Sequence, residues 1–204
     1  FANALRSILR QDPDIIMIGE IRDGETASIA VQASITGHLV VSTLHTNDTA
    51  SSVTRLLDMG VESYLIADAL TGVIAQRLVR RLCPNCKRRH ALLEREREYL
   101  GLTEEEAASA AVYEPVGCQR CGGTGYFDRI GVYEIMEISP HLRDMISHRC
   151  STGDLRQAAI AEGMGTLQQS ARRLVLEGIT PISEMQRISV EYTENVPMTE
   201  EGSK

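Results

Sequence analysis

The sequence predicts an α/β fold in which parallel strands alternate with helices, followed by a cysteine-containing insertion and a helical C-terminal region. Two apolar runs, Ile15–Ile18 and residues 39–41, lie on either side of a stretch with helical periodicity. Two CxxC pairs follow, and the C-terminal third contains residues that favour helix starts and stops. The chain has 204 residues, which is enough for one medium domain or two small ones.

The first helix is predicted over residues 3–11, where apolar residues recur on one helical face. It ends before Pro13, because the residue that precedes a proline avoids the helical conformation. The run that follows, Ile15–Ile18, is continuous and apolar. Such runs are typical of central parallel strands, so we expect this strand to be buried on both faces.

The second helix is predicted from an N-cap at Asp23 to Gly37, and the apolar run at residues 39–41 predicts the next strand. A third helix is predicted with Asp48 or Thr49 as its N-cap. This succession is a βαβ unit, whose strands are almost always parallel. Ligands of open parallel sheets bind beyond the carboxyl ends of the strands.

Polar residues follow both strands at that end of the sheet. Glu20 comes directly after the first strand, and His45 lies in STLHTND after the second. Glu20 alone indicates little, since many such strands end with an acid that caps the next helix. Together the two residues suit hydrolysis of a phosphate anhydride, in which a carboxylate positions or deprotonates water and an imidazole donates to the terminal phosphate. We therefore expect them to face one ligand pocket.

Residues 63–82 predict a long amphipathic helix with a potential break at Gly72. After the second cysteine pair, GGTGYFDRIGVYEIMEISP predicts a loop and a strand. The remainder is predicted to be helical, and from Glu191 onward the polar composition predicts disorder. Residues that favour helix starts and stops in this last region are Ser151, Gly163, Thr166, Gly178 and Thr180.

Four of the five cysteines form two CxxC pairs separated by thirty-one residues. Two chelating pairs of thiolates predict a tetrahedral structural zinc site that has no open position for catalysis. Free thiols or a redox pair are the alternatives. The predicted zinc ligands are Cys83, Cys86, Cys118 and Cys121.

Basic residues at 80–81 and 87–89 flank the first pair, so a nucleic-acid-binding zinc module is a rival interpretation. The acidic stretch EREREYLGLTEEE and the net charge of -7 disfavour it, because phosphate contacts need an excess of Lys and Arg. We expect no nucleic-acid partner. No segment has the length and apolar composition of a membrane-spanning helix or the pattern of an export signal.

The Walker B and His-box region of the secretion ATPases, the motors of type II secretion and type IV pili, resembles LRQDPDIIMIGEIRDGETASIAVQASITGHLVVSTLHTND in this chain. The type II secretion protein E branch is similar in TRLLDMGVESYL, GVIAQRLVRRLCPNCK and GCQRCGGTGYFDRIGVYEI. The resemblance covers roughly residues 1 to 190.

This resemblance implies the C-terminal half of a RecA-like P-loop NTPase core with a tetracysteine zinc insertion and a helical C-terminal subdomain. It implies that Glu20 is the catalytic acid, that His45 contacts the terminal phosphate of ATP, and that His38 supports the box. Gly19 stands where most P-loop enzymes have an aspartate that binds Mg²⁺, so a role for Glu20 in Mg²⁺ ligation is a weaker implication. The implied domains are residues 1–82, 83–125 and 126–190, with a tail at 191–204.

The resemblance also implies a homo-hexamer with nucleotide sites between protomers. Arg6, Arg10, Arg22 and Arg129 are therefore candidates for contacts to a neighbouring subunit or its nucleotide, because arginine suits phosphate clamping. The alternative is a solvated helix face for Arg6 and Arg10, and an ion pair with Asp23 for Arg22. The implied partners are inner-membrane secretion platform proteins, at the cytoplasmic face of the bacterial inner membrane.

No GxxxxGK[ST] motif occurs in the chain. Because the first residue is Phe1, we expect a piece of a longer protein, with a P-loop about sixty to seventy residues upstream. We expect this piece alone to be inactive. A pilus-extension ATPase shares nearly every motif, a retraction motor usually lacks the cysteine insertion, and a zinc-containing interaction module is the alternative if the piece acts alone.

Overall fold

The computed structural model of the chain describes residues 2–193. Helices and strands follow each other in chain order as α1 (Ala2–Leu9), β1 (Ile15–Ile18), α2 (Gly24–Ile35), β2 (Leu39–Ser42), α3 (Thr49–Asp58), α4 (Ser63–Ala69), β3 (Gly72–Leu82), β4 (Arg88–Arg89), α5 (Glu94–Tyr99), α6 (Glu104–Ser109), β5 (Tyr113–Glu114), β6 (Tyr126–Glu137), α7 (Pro140–Ser147), α8 (Thr152–Ala161), α9 (Leu167–Leu176) and α10 (Ile182–Thr193). A 3₁₀ turn spans Gln119–Cys121.

The chain divides into two compact units. The first combines Phe1–Ala75 with Glu134–Met164, and the second combines Gln76–Tyr133 with Gly165–Lys204. Each unit therefore joins two stretches that are distant in sequence. The predicted domain limits at residues 82, 125 and 190 stay predictions.

A parallel pair of strands forms the sheet of the first unit. β1 pairs with β2 in the register Ile15↔Leu39 to Ile18↔Ser42, and α2 connects them as predicted. One face of β1 is buried in the apolar core of this unit through Ile16 and Ile18. The expectation that both faces are buried was wrong, because Ile15 is 63% exposed and Met17 is 69% exposed. Among the described residues, the helices cover only one side of this pair.

Local capping explains where two helices of the first unit begin. Asp23 accepts a hydrogen bond from the backbone N–H of Thr26 at 2.8 Å and caps α2. Asp48 accepts one from the backbone N–H of Ser51 at 2.7 Å and caps α3. Both were predicted, since a carboxylate at an N-cap satisfies an amide that has no partner within the helix.

The predicted helix over residues 63–82 was wrong in its second part. α4 ends at Ala69, and Gly72–Leu82 is a strand, β3, which pairs with β6. The buried apolar residues of β3 are Ala75, Val79 and Leu82, a spacing of four and three that imitates a helical face. The β-branched residues of GVIAQRLV and pairing with a strand far along the chain favour the extended conformation instead.

The second unit contains the insertion between the cysteine pairs. β4 and β5 pair antiparallel, with Arg88 opposite Glu114, and the helices α5 and α6 lie between them in sequence. Ser151 of the first unit and Thr166 of the second cap α8 and α9 as predicted. The last helix, α10, continues to Thr193, past the predicted start of the disordered tail at Glu191. The rest of that tail lies outside the described residues.

No helix within residues 2–193 has the length and apolar character needed to cross a membrane.

Candidate functional site

The carboxyl ends of β1 and β2 are held together just beyond the paired strands. The backbone N–H of Ile21 donates to the carbonyl of Thr43 at 3.0 Å. The Thr43 hydroxyl donates to the carbonyl of Gly19 at 2.6 Å. These two hydrogen bonds cross from one strand extension to the other, so the residues that follow each strand share a defined spacing. Thr43 was not identified from the sequence, where it is one of several hydroxyl residues in STLHTND.

Glu20 and His45 meet at this end of the sheet, as expected. The Nε2 atom of His45 lies 2.9 Å from Oε2 of Glu20. The other carboxylate oxygen, Oε1, lies 2.5 Å from Nη2 of Arg22. Glu20 is partly exposed, and both of its partners are exposed. The three side chains therefore form a polar cluster that faces solvent and is not enclosed by hydrocarbon.

The electrostatics of this cluster keep Glu20 ionised. The hydrogen bond from Arg22 and then that from His45 lower the pKa of the Glu20 carboxyl. An ionised carboxylate accepts hydrogen bonds only, so it can hold a water molecule or a cationic group but cannot act as an acid. The two cationic or donor side chains beside it are of the kind that bind phosphate oxygens.

Arg22 has a different partner from the one that the ion-pair alternative expected. Its guanidinium contacts Glu20, whereas the carboxylate of Asp23 accepts hydrogen bonds from the amide and hydroxyl of Thr26. The cap and the arginine are therefore separate features. The sequence could not distinguish them, because Glu20 and Asp23 are both within reach of residue 22.

Two of the other predicted contact residues, Arg6 and His38, have partners outside the Glu20 cluster. Arg6 forms an exposed ion pair with Glu25 at 2.8 Å. Nδ1 of His38 lies 3.0 Å from the carbonyl of Ala33, at the end of α2. Arg10 and Arg129 are exposed. Their roles at a nucleotide or a subunit interface stay predictions.

The segment that carries His45 is tied to α3 by hydroxyl and carboxylate groups. The Thr46 hydroxyl lies 2.8 Å from that of Ser52. Thr49, the first residue of α3, contacts the buried carboxylate of Glu134, which lies on β6. Glu134 was missed in the sequence, where the signal is an acid at an inward position of an otherwise apolar strand pattern, VYEIM.

The four cysteines of the two CxxC pairs lie together in the second unit. Their Sγ atoms all lie within 4.8 Å of one another. Three of the Sγ to Sγ distances are 3.8 to 3.9 Å. A tetrahedron of thiolates about 2.3 Å from a zinc ion has edges of about 3.8 Å. The donor set and its spacing therefore fit a tetrahedral metal ion.

Backbone amides surround these sulfur atoms. The N–H of Gly117 donates to Sγ of Cys86 at 3.4 Å. The N–H groups of Cys118 and Gly125 donate to Sγ of Cys121, each at 3.2 Å. Amide donors stabilise negative charge on sulfur, and sulfur ligates metal as the thiolate. The chain thus provides the second layer of hydrogen bonds that orients metal ligands.

The thiols differ in acidity. Burial raises the pKa of Cys86 to about 11. Burial also opposes ionisation of Cys121, but the amides of Cys118 and Gly125 outweigh it and lower the pKa of Cys121 to about 6. Metal binding requires the sulfur atoms as thiolates, so a bound cation would displace the protons that the thiols carry.

A comparison with protein families gives a match over nearly the whole chain. The profile of the family described as Type II/IV secretion system protein matches residues 1–187.

Curated relatives carry two kinds of name. A type IV pilus assembly ATPase, TfpB of Acinetobacter baylyi, is 47% identical over 92% of this chain and 32% of its own length. Type II secretion system protein E of Pseudomonas aeruginosa is 47% identical over 94% of this chain and 38% of its own. The PilB pilus assembly ATPase of Thermus thermophilus is also 47% identical, over 94% of this chain and 22% of its own length. The chain thus spans less than two fifths of the length of these relatives.

Solved structures give the fold. The pilus retraction motor PilT with bound ADP has a TM-score of 0.64 and 26% identity, over 95% of this chain and 44% of its own. The ATPase DotB of Legionella pneumophila has a TM-score of 0.63 and 21% identity, over 93% of this chain and 42% of its own. The predicted α/β fold, part of a RecA-like ATPase core with a tetracysteine insertion, is confirmed.

Proposed function

The chain belongs to the Type II/IV secretion system protein family, and on this premise we propose that it is the C-terminal part of an ATPase that powers type II protein secretion by driving pseudopilus assembly. The observation that carries the proposal is the 2.9 Å contact between Glu20 and His45 at the ends of neighbouring parallel strands. This is the position at which open α/β sheets bind ligands.

Glu20 holds both of its carboxylate oxygens in contacts with donors, one with Arg22 and one with His45. The triphosphate tail of ATP would compete for these two donors, since phosphate oxygens are strong acceptors of charge-assisted hydrogen bonds. Release of one carboxylate oxygen would leave Glu20 free to accept a hydrogen bond from water. Substrate binding would thus convert an internally paired cluster into one that is ready to hold the attacking water.

In the hydrolysis step, Glu20 positions or deprotonates that water, and His45 donates to the oxygens of the terminal phosphate as negative charge moves onto them. Mg²⁺ would neutralise the phosphates when bound, and Glu20 is the carboxylate at this strand end that would contribute to holding it.

The activity of the whole protein is part of the same proposal. We propose a homo-hexamer whose nucleotide sites lie between protomers, with Arg6, Arg10, Arg22, His38 and Arg129 as candidate contacts. It would act at the cytoplasmic face of the inner membrane with secretion platform proteins. Since residues 1–204 contain no GxxxxGK[ST] motif, we propose that this chain alone does not hydrolyse ATP.

Zinc is the metal that we propose for the four cysteines. Tetrahedral all-thiolate sites are typical of structural zinc, and the sulfur spacing supports this choice. The thiolates Cys83, Cys86, Cys118 and Cys121 would hold the ion, which would join the two ends of the insertion. Its role would be structural, because all four positions of the tetrahedron are filled by the chain.

The test is ATP hydrolysis by the whole protein with Glu20→Gln. We expect turnover to fall by about 10²- to 10⁴-fold, the range for loss of a general base, while ATP binding is retained. Asp14→Asn is the matched control, since Asp14 is an exposed acid directly before the first residue of the same strand, β1. Full turnover by Glu20→Gln, with contaminating ATPases excluded, would refute the assignment of Glu20.

A type IV pilus assembly ATPase is the second candidate, because relatives of that name are as similar as those named for type II secretion. Complementation separates the two. The gene is expressed in strains that lack either the secretion ATPase or the pilus assembly ATPase, and the restored phenotype identifies the function. If neither is restored and the whole protein has no ATPase activity, the alternative of a zinc-containing interaction module is supported.

A further inference from the structure

A buried polar cluster in the first unit connects β6 and α8 to the start of α3. Glu134 on β6 is only 1% exposed, and its Oε1 accepts hydrogen bonds from the backbone N–H of Thr49 at 3.1 Å and from the Thr49 hydroxyl at 2.7 Å. Nη1 of Arg156 on α8 lies 3.6 Å from Oε2 of Glu134 and 3.8 Å from Oδ2 of Asp48. A buried charge in an apolar strand is costly unless it is hydrogen-bonded and paired, as it is here.

The cluster acts on a helix terminus next to the candidate site. Thr49 is the first residue of α3 and Asp48 is its N-cap, so Glu134 and Asp48 together satisfy amides that have no partner within the helix. His45 lies three residues before Asp48, on the segment between β2 and α3. The β2 end of that segment is held by Thr43, and the α3 end is held by this cluster.

From this arrangement we infer that Glu134 is a positioning residue for His45. By holding the first turn of α3, it fixes the far end of the segment that places the imidazole against Glu20. Glu134 would act through this segment, because its hydrogen bonds are to Thr49 at the start of α3. The inference rests on the proposed function, since it gives Glu134 a role in the reaction that Glu20 and His45 would perform.

The chemistry of the contact defines two informative substitutions. Glu134→Ala removes the acceptor of both Thr49 donors. Glu134→Gln keeps a carbonyl oxygen for those donors and removes the negative charge. If position is what matters, the glutamine variant should recover most of the activity that alanine loses. Glu137→Ala is the matched control, because Glu137 lies on the same strand and is exposed.

The activity experiment is a double-mutant cycle in the whole protein. Glu134→Ala should lower the kcat for ATP hydrolysis by about 10- to 100-fold, the effect of a displacement of about 1 Å in a catalytic group. KM for ATP should change much less. In a His45→Ala background, Glu134→Ala should cause no further loss of kcat, because the group that it positions is absent. Multiplicative losses in the double variant would overturn the inference.

A second measurement does not depend on ATP turnover. In the 204-residue chain, imidazole NMR signals report His45 directly, and Glu20→Gln identifies the signal that senses Glu20. Glu134→Ala should shift that same signal and leave those of His141 and His148 unchanged. An unshifted His45 signal in a folded variant would overturn the inference even if Glu20→Gln abolishes turnover. A shifted His45 signal together with full turnover by Glu20→Gln would support the positioning and refute the proposed function.

Thermal unfolding followed by circular dichroism is measured for every variant. If Glu134→Ala does not fold, Thr49→Val replaces it. That substitution removes the hydroxyl donor and keeps the backbone N–H, and it should give a smaller shift of the His45 signal in the same direction. No shift with Thr49→Val would count against the inference.

Discussion

Replacing Glu184 by alanine should destabilise the second unit, because this side chain is a buried acceptor for two arginines. Glu184 is 1% exposed. Its carboxylate accepts hydrogen bonds from the backbone N–H of Arg80 at 2.9 Å, from Nε at 3.0 Å and from Nη2 at 2.7 Å. Nη2 of Arg187 donates to it at 3.2 Å. The variant removes all of these acceptors at once.

The size of the effect follows from which donors can return to water. Breaking a fully buried ion pair costs about 3–5 kcal/mol. The Arg80 side chain is 49% exposed, so its guanidinium is rehydrated after the substitution, and only about 1 kcal/mol of ionic stabilisation is lost. The backbone N–H of Arg80 also loses its acceptor, and an amide without a partner costs about 1–3 kcal/mol. We therefore expect the free energy of unfolding to fall by about 3 kcal/mol.

The assay is denaturant unfolding of the chain with added zinc at neutral pH, followed by far-UV circular dichroism. Glu177→Ala is the matched control, because its side chain is exposed and lies 3.9 Å from Arg173. The control should change the free energy of unfolding by less than about 0.5 kcal/mol. Equal losses in both variants, or a loss below about 1 kcal/mol for Glu184→Ala, would refute the reasoning.

The pH dependence provides an independent check. Burial raises the pKa of Glu184, but the hydrogen bonds from Arg80 outweigh it, so the pKa is lowered in the folded protein. The stability that Glu184 contributes is therefore complete above the ordinary carboxyl pKa of about 4.3 and is lost as the pH falls through the lowered value. The difference between the chain and Glu184→Ala should persist at about pH 7 and shrink below about pH 4. A difference that grows on acidification would contradict this.

Two further predictions concern the insertion. Cys118→Ser should abolish stoichiometric zinc in elemental analysis and unfold the insertion, as a chelator should do in the unsubstituted chain. Cys150→Ser is the control, because Cys150 is a half-buried cysteine outside the cluster, and this variant should retain zinc. Retention of zinc by Cys118→Ser would contradict a four-thiolate site. The hydrogen bond to Glu96 raises the pKa of His90, so the stability that His90 contributes is complete below about pH 6.5 and lost as the pH rises through the raised pKa. His90→Gln should therefore lower the free energy of unfolding more at about pH 6 than at about pH 9. The opposite trend in denaturant unfolding would show that the contact with Glu96 is not the cause of this loss.

Local features of the fold could be predicted because their causes are local. The strands β1 and β2, the caps Asp23 and Asp48 and the tetracysteine cluster each depend on residue types at short spacing. The proximity of Glu20 and His45 was predictable for a related reason, since adjacent parallel strands bring their carboxyl ends to the same edge.

Other features depended on partners that are distant in sequence. β3 was mistaken for a helix because its buried residues have helical spacing, and only pairing with β6 decides between the two conformations. Exposure of Ile15 and Met17 could not be predicted either, because an apolar run does not reveal which of its faces is covered.

The sequence by itself thus determined the secondary structure around the candidate site, the acid and the imidazole that follow the strands, and the four cysteines that lie together. Only the tertiary structure decided which buried carboxylates join elements that are distant in sequence. Glu134 contacts Thr49 across 85 positions, and Glu184 contacts Arg80 across 104. The physical reason is that a buried carboxylate persists only where folding brings donors to it from other elements, and neither charge nor hydropathy along the chain specifies those donors.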